Sequence, residues 1–124
     1  MPATVLVVED DRWGRKIISD TLRKDGYEVV EVTDGAQAVE ILEHRSFDLI
    51  VTDFVMPNLD GLKLVDHVHR VSPQTRIILI SGYLSVDPGN KILEGSAEFL
   101  PKPFDFNVLR SMARRLVPPD PIPC

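Results

Sequence analysis

Short runs of aliphatic residues recur along the chain, and most end abruptly in a polar or charged group. Thr4 to Val8 runs into Glu9, Asp10 and Asp11; Leu49 to Val51 into Thr52 and Asp53; Arg76 to Ile80 into Ser81. Such runs, continuous rather than alternating, suit strands buried on both faces of a parallel sheet. Between them the apolar positions change to a spacing of three and four, the period of a helix laid on a sheet.

In chain order, Thr4 to Val8 is the first strand, and Asp11 caps a helix reaching about Lys24, with Gly14, Ile17, Ile18, Thr21 and Leu22 as its inward stripe. Gly26 stops it. Glu28 to Val32 is a second, β-branched strand, and Asp34 caps a helix over Ala36 to Glu43 that turns Ala38, Val39, Ile41 and Leu42 inward. Phe47 to Gly61 holds the third strand and breaks at Pro57 and Gly61. The helix that follows carries Leu62, Leu64, Val65 and Val68. It ends near Ser72, because the residue before Pro73 is pushed out of helical geometry.

Arg76 to Ile80 is the fourth strand. A helix is expected over Val86 to Gly95, short or irregular because Pro88 and Gly89 oppose a helix interior. Ala97 to Leu100 is the fifth strand, and Asp105 caps a last helix with Val108, Leu109, Met112 and Leu116 inward. Five strands alternating with five helices make an α/β fold with a single parallel sheet. Right-handed crossovers and short connections favour an open, doubly wound, flavodoxin-like sheet of strand order 2-1-3-4-5. One domain is expected over residues 1–117. Residues 118–124, rich in proline, read as a tail or the stump of a linker.

Composition narrows the function. A net charge of −5 disfavours a nucleic-acid surface, which needs clustered Lys and Arg, and disfavours membrane binding as well. Cys124 is the only cysteine, which excludes an internal disulfide, a thiolate metal cluster and a CxxC redox pair. No apolar run approaches the roughly 18 residues of a membrane span, and the first ten residues lack the basic and apolar blocks of a signal peptide. A cytoplasmic location is the expectation.

In a parallel sheet the carboxyl ends of the strands share one edge, where ligands bind. Glu9 and Asp10 follow the first strand, Asp53 the third, Ser81 the fourth and Lys102 the fifth. Thr33 and Asp34, after the second, read as loop and cap. Three crowded carboxylates retain a proton unless a cation enters. An all-oxygen donor set points to a hard ion, Mg²⁺ (or Mn²⁺), completed by a substrate phosphate. Lys102 then offers a fixed charge and Ser81 a hydroxyl to phosphoryl oxygens, with Asp53 as candidate nucleophile.

The stretches VLVVEDD, TDFVMPNLDG, ISG and LPKPF, in this order and spacing, resemble the receiver domain of two-component response regulators over essentially the whole chain. The resemblance implies that Asp53 is the phosphoacceptor, Asp10 a direct metal ligand, Glu9 a ligand through water, and the Val55 backbone carbonyl the remaining protein ligand. It implies Ser81 and Lys102 as phosphoryl-binding groups, a cis peptide between Lys102 and Pro103, and a switch formed by Ser81 and the aromatic Phe99. The implied donor is a phosphohistidine on a sensor histidine kinase or phosphotransfer protein, or a small phosphodonor. The implied output is a downstream protein target, and the domain is not a turnover enzyme. Val55 and Tyr83 depart from the family pattern, and their bulk is expected to hinder water and lengthen the phosphoryl lifetime.

Plainer roles stand beside these. Asp53 alone could be a cap, Ser81 a turn residue and Phe99 a packed side chain; Asp11 is a helix-start acid. Trp13 is expected to be partly exposed near the acidic residues, and His44, His67 and His69 to be surface residues. Arg114 and Arg115 suit the last helix's dipole. Two other functions would use the same groups. One is a phosphohydrolase resembling the haloacid dehalogenase family, whose second Asp is replaced here by Val55; the other is a binding module that has lost phosphorylation.

Overall fold

Val5, Leu6, Val7 and Val8 are all fully buried, as a strand covered on both faces requires. They belong to β1 (Thr4–Val8) in a computed structural model that describes residues 2–53, 61–81 and 97–119. The other strands are β2 (Glu28–Val32), β3 (Leu49–Asp53), β4 (Arg76–Ser81) and β5 (Glu98–Pro101). All pairings are parallel and the order is β2-β1-β3-β4-β5, the order expected. The described helices are α1 (Arg12–Lys24), α2 (Gly35–Leu42), α3 (Gly61–Val71) and α4 (Phe106–Leu116). The helix expected over 86–95 lies outside the described residues.

Strand alternation divides the core into two layers. Val5, Val7, Leu49, Val51, Ile78 and Ile80 face one way and meet Ile18 and Leu22 of α1 and Leu109 and Ala113 of α4. Leu6, Val8, Ile50 and Ile77 face the other way, against Ala38 of α2 and Leu64, Val65 and Val68 of α3. The sheet is therefore doubly wound.

The three predicted caps form: Asp11 accepts from the Gly14 N–H, Asp34 from Gln37 and Asp105 from Asn107. Two expectations of burial fail. Ile17 and Val108, predicted inward, are 47% and 48% exposed. Successive helical residues are rotated by about 100°, so Ile18 and Leu109 take the inward positions and turn their neighbours toward solvent. Element ends also shift by a residue: α2 begins at Gly35 and stops at Leu42, β4 includes Ser81, and β5 runs from Glu98 to Pro101.

After α4 the chain returns to the residues that lead into β1 and β2. Tyr27 Oη donates to the Val117 carbonyl at 2.6 Å, and the Ala3 N–H to that of Pro119 at 2.7 Å. Burial pushes the Tyr27 phenol from 10.0 up to about 12. Tyr27→Phe is expected to cost about 1 kcal/mol and to lower the melting temperature by roughly 3–5 °C. Because the folded pKa is raised, the wild-type advantage is complete below pH 10 and lost as pH rises through about 12. Paired melting curves at pH 8 and pH 11 to 12 check both.

Candidate functional site

The register brings the strand ends together: Val8 pairs with Thr52, Asp53 with Ile80 and Ser81 with Pro101. Glu9 leaves the end of β1, Asp53 closes β3, and Lys102 follows β5. One carboxylate oxygen from each of Glu9, Asp10 and Asp53 lies within 4.8 Å of the others. Lys102 Nζ donates to Asp53 Oδ2 at 2.9 Å and stands 3.8 Å from Glu9 Oε1. The Lys102–Pro103 peptide is cis.

Glu9 is 5% exposed, and its Oε2 is buried with no hydrogen-bond partner among the described residues. Desolvation raises its carboxyl from 4.5 to about 8, and a hydrogen bond to Asp53 and the Asp53 and Asp10 charges push the same way against Lys102. The apolar surroundings are visible beneath it. A cavity of about 10 Å³, lined by Val8, Ile18, Val51 and Ile80 as well as by Glu9, Thr52, Asp53 and Lys102, has room for at most one water. Desolvation works against the Lys102 ammonium, yet the Asp53 hydrogen bond and the three carboxylate charges together hold its pKa above the ordinary value. An orphaned buried carboxylate oxygen in an all-oxygen, net-negative cluster is a fit for a hard divalent cation.

The structure thus joins Glu9, Asp10, Asp53 and Lys102. Phe99 is half-buried on β5, paired with Leu79. Ser81 ends β4, but its side chain, like Val55 and Tyr83, lies outside what the structure describes. Trp13 is 66% exposed in the first turn of α1, with the Arg12 guanidinium 5.9 Å from its ring.

Three neighbours of the site were not anticipated. Thr52 is fully buried, and its Oγ1 donates to the Asp53 carbonyl at 3.1 Å. Arg15 Nη1 donates to the Glu9 carbonyl at 2.9 Å. Gly14, read only as part of an apolar stripe, lies where a Cβ would stand 3.2 Å from Glu9 Oε1. A glycine inside a helix, costly in propensity, was the signal available.

Residues 5–114 match the response regulator receiver domain family. The response regulator protein FleR of Pseudomonas aeruginosa is 35% identical over 116 residues, 93% of this chain and 24% of FleR. The chemotaxis protein CheY of Bacillus subtilis is 37% identical over 109 residues, 84% of this chain and 88% of CheY. The response regulator TrrA of Thermotoga maritima, solved in complex with Mg²⁺-BeF, superposes with a TM-score of 0.84 at 25% identity, covering 93% of this chain and 99% of that one. The chain therefore spans about a quarter of FleR's length and most of CheY's. No helix among the described residues is long and apolar enough to cross a membrane. The matched stretch takes in all the described strands except Thr4 of β1, and the acids at the strand ends, and this chain belongs to the response regulator receiver domain family of two-component signalling.

Proposed function

We propose that Asp53 is the phosphoacceptor of a cytoplasmic receiver that takes its phosphoryl group from the phosphohistidine of a sensor kinase or phosphotransfer protein. The observation that carries this reading is Lys102 Nζ held 2.9 Å from Asp53 Oδ2 within an acidic cluster. An Asp53 carboxylate oxygen attacks phosphorus, the phosphorus–nitrogen bond of the donor breaks, and its electron pair leaves with the imidazole. Lys102 shifts from the carboxylate to a phosphoryl oxygen, and the Ser81 hydroxyl donates to another. Asp10 and Asp53 would hold Mg²⁺ directly, together with the Val55 carbonyl, and Glu9 would hold it through water. When bound, the ion offsets the negative charge of the transferring group.

Water later cleaves the acyl phosphate, so the domain turns over only its own phosphate. Rearrangement of Ser81 and Phe99 passes the change to a downstream protein. That the similar TrrA receiver was solved with Mg²⁺-BeF supports the metal and the anion site together.

Trp13 is the only tryptophan and lies close in sequence to Asp10 and Asp11, so it reports on the site. Beryllium fluoride with Mg²⁺ is expected to change its fluorescence in the wild type and not in Asp53→Asn. Equal responses in the two proteins, or none in the wild type, overturn the proposal. Val55 and Tyr83 are proposed to slow hydrolysis. The phosphoryl lifetime should then shorten in Val55→Asn and Tyr83→Ala, and unchanged lifetimes would show that neither side chain slows hydrolysis.

A further inference from the structure

We propose that Arg15 is a positioning residue for the acidic turn: its guanidinium, seated on the Glu9 carbonyl, fixes the peptide that carries Asp10 and so sets the cation affinity of the site. The inference rests on the reading of Glu9, Asp10 and Asp53 as a metal site. Helical side chains lean toward the amino terminus, and from its place one turn into α1 Arg15 reaches back over the cap to Glu9. Its side chain is only 19% exposed, unusual for an arginine, and Nε lies 3.8 Å from Glu31 on β2. Glu31 is held in turn by Arg23 at 3.0 Å.

Glu9 is thereby gripped on both sides. Its N–H donates to the Val32 carbonyl at 3.2 Å, extending the β1–β2 ladder by one step, and its carbonyl takes Arg15 Nη1 at 2.9 Å. With both ends of the residue held, the plane of the Glu9–Asp10 peptide is held too. Gly14 lets the helix approach: a Cβ there would meet Asp11 Oδ2 at 3.0 Å and Glu9 Oε1 at 3.2 Å. Among the described hydrogen bonds Arg15 reaches the Glu9 carbonyl and no carboxylate of the cluster; it acts through the backbone.

The sign of the effect separates positioning from plain electrostatics. A cation beside a metal site opposes the metal, so deleting a bystander arginine would tighten Mg²⁺ binding. Deleting a positioning arginine loosens it, by about tenfold for a partner that orients a ligand. The test is a Mg²⁺ titration of wild type, Arg15→Met, Arg15→Lys and Gly14→Ala, read by Trp13 fluorescence. Amide exchange at Asp10 is measured on the metal-free proteins, and melting curves are taken beside both.

Arg15→Met is expected to bind Mg²⁺ about tenfold more weakly and to exchange the Asp10 amide faster, with Arg15→Lys, which keeps one donor, in between. Gly14→Ala is expected to weaken binding with the arginine in place. Unchanged or tighter binding in Arg15→Met, with wild-type exchange at Asp10, overturns the inference while leaving the metal site standing. A wild type with no Mg²⁺ response fails the site itself and this inference with it. If Arg15→Met melts below the assay temperature, Arg15→Lys and Gly14→Ala carry the same comparison.

Discussion

Lys102→Ala is expected to slow phosphoryl uptake at Asp53 by about 10²-fold, the scale of losing one fixed donor to a charge that develops in a transition state. The geometry gives the reason. Nζ bonds Asp53 Oδ2 at 2.9 Å and is the only cation within 4 Å of these carboxylates among the described ion pairs, 3.8 Å from Glu9. Without it, the cluster keeps three carboxylates and loses the charge that opposes Glu9's retention of a proton. Lys102→Arg should recover part of the rate, since a planar guanidinium keeps the charge but not the compact ammonium. A time course of acetyl phosphate labelling at saturating Mg²⁺ checks both. An alanine variant as fast as the wild type would contradict the role.

The second large effect is on stability. Without divalent cations the protein should lose stability as pH rises from about 4.5 to 8, and Mg²⁺ should restore it increasingly over that range. The window follows from Glu9, whose pKa is 4.5 in the open chain and about 8 in the fold. A raised carboxyl pKa means the folded state binds the proton more tightly. The contribution of Glu9 is therefore complete below 4.5 and declines as the unfolded chain, but not the folded one, releases the proton. Asp25 and Glu98 have pKa values lowered by hydrogen bonds from Arg110 and Arg115, so their contributions are lost only in acid, below this window. Melting temperatures from pH 4 to 8.5, with EDTA and with Mg²⁺, give the measurement. Glu9→Gln should flatten the EDTA profile and raise its alkaline end; a profile as steep as the wild type's would place the proton elsewhere.

The strands and their order were legible in the sequence because a parallel strand buried on both faces is a continuous apolar run, and few crossover paths join five of them. The caps were legible because Asp11, Asp34 and Asp105 each stand just before a helical period begins. Once the strand ends share an edge, Glu9, Asp10, Asp53 and Lys102 converge by topology alone.

What stayed hidden depends on rotation and on distance. Whether Ile17 or Ile18 faces the sheet is decided by the helix's final rotation on it, which spacing gives only to within a residue. Ser19, fully buried with its Oγ unpartnered among the described residues, breaks the polar pattern outright. The grip of Arg110 on Asp25 joins residues 85 positions apart, at 2.8 and 2.9 Å, and no local period encodes it. Arg15 was hidden for a different reason. Its partner is a backbone carbonyl, and a carbonyl leaves no mark on residue type.

The proposed role of Asp53 is to accept a phosphoryl group. Its most direct test is peptide-mapped mass spectrometry after incubation with acetyl phosphate and Mg²⁺, with hydroxylamine sensitivity to mark an acyl phosphate. The result expected is one phosphoryl group on the wild type, localised to Asp53, removed by hydroxylamine and absent from Asp53→Asn. An unlabelled wild type, or a label that persists in Asp53→Asn, would contradict it.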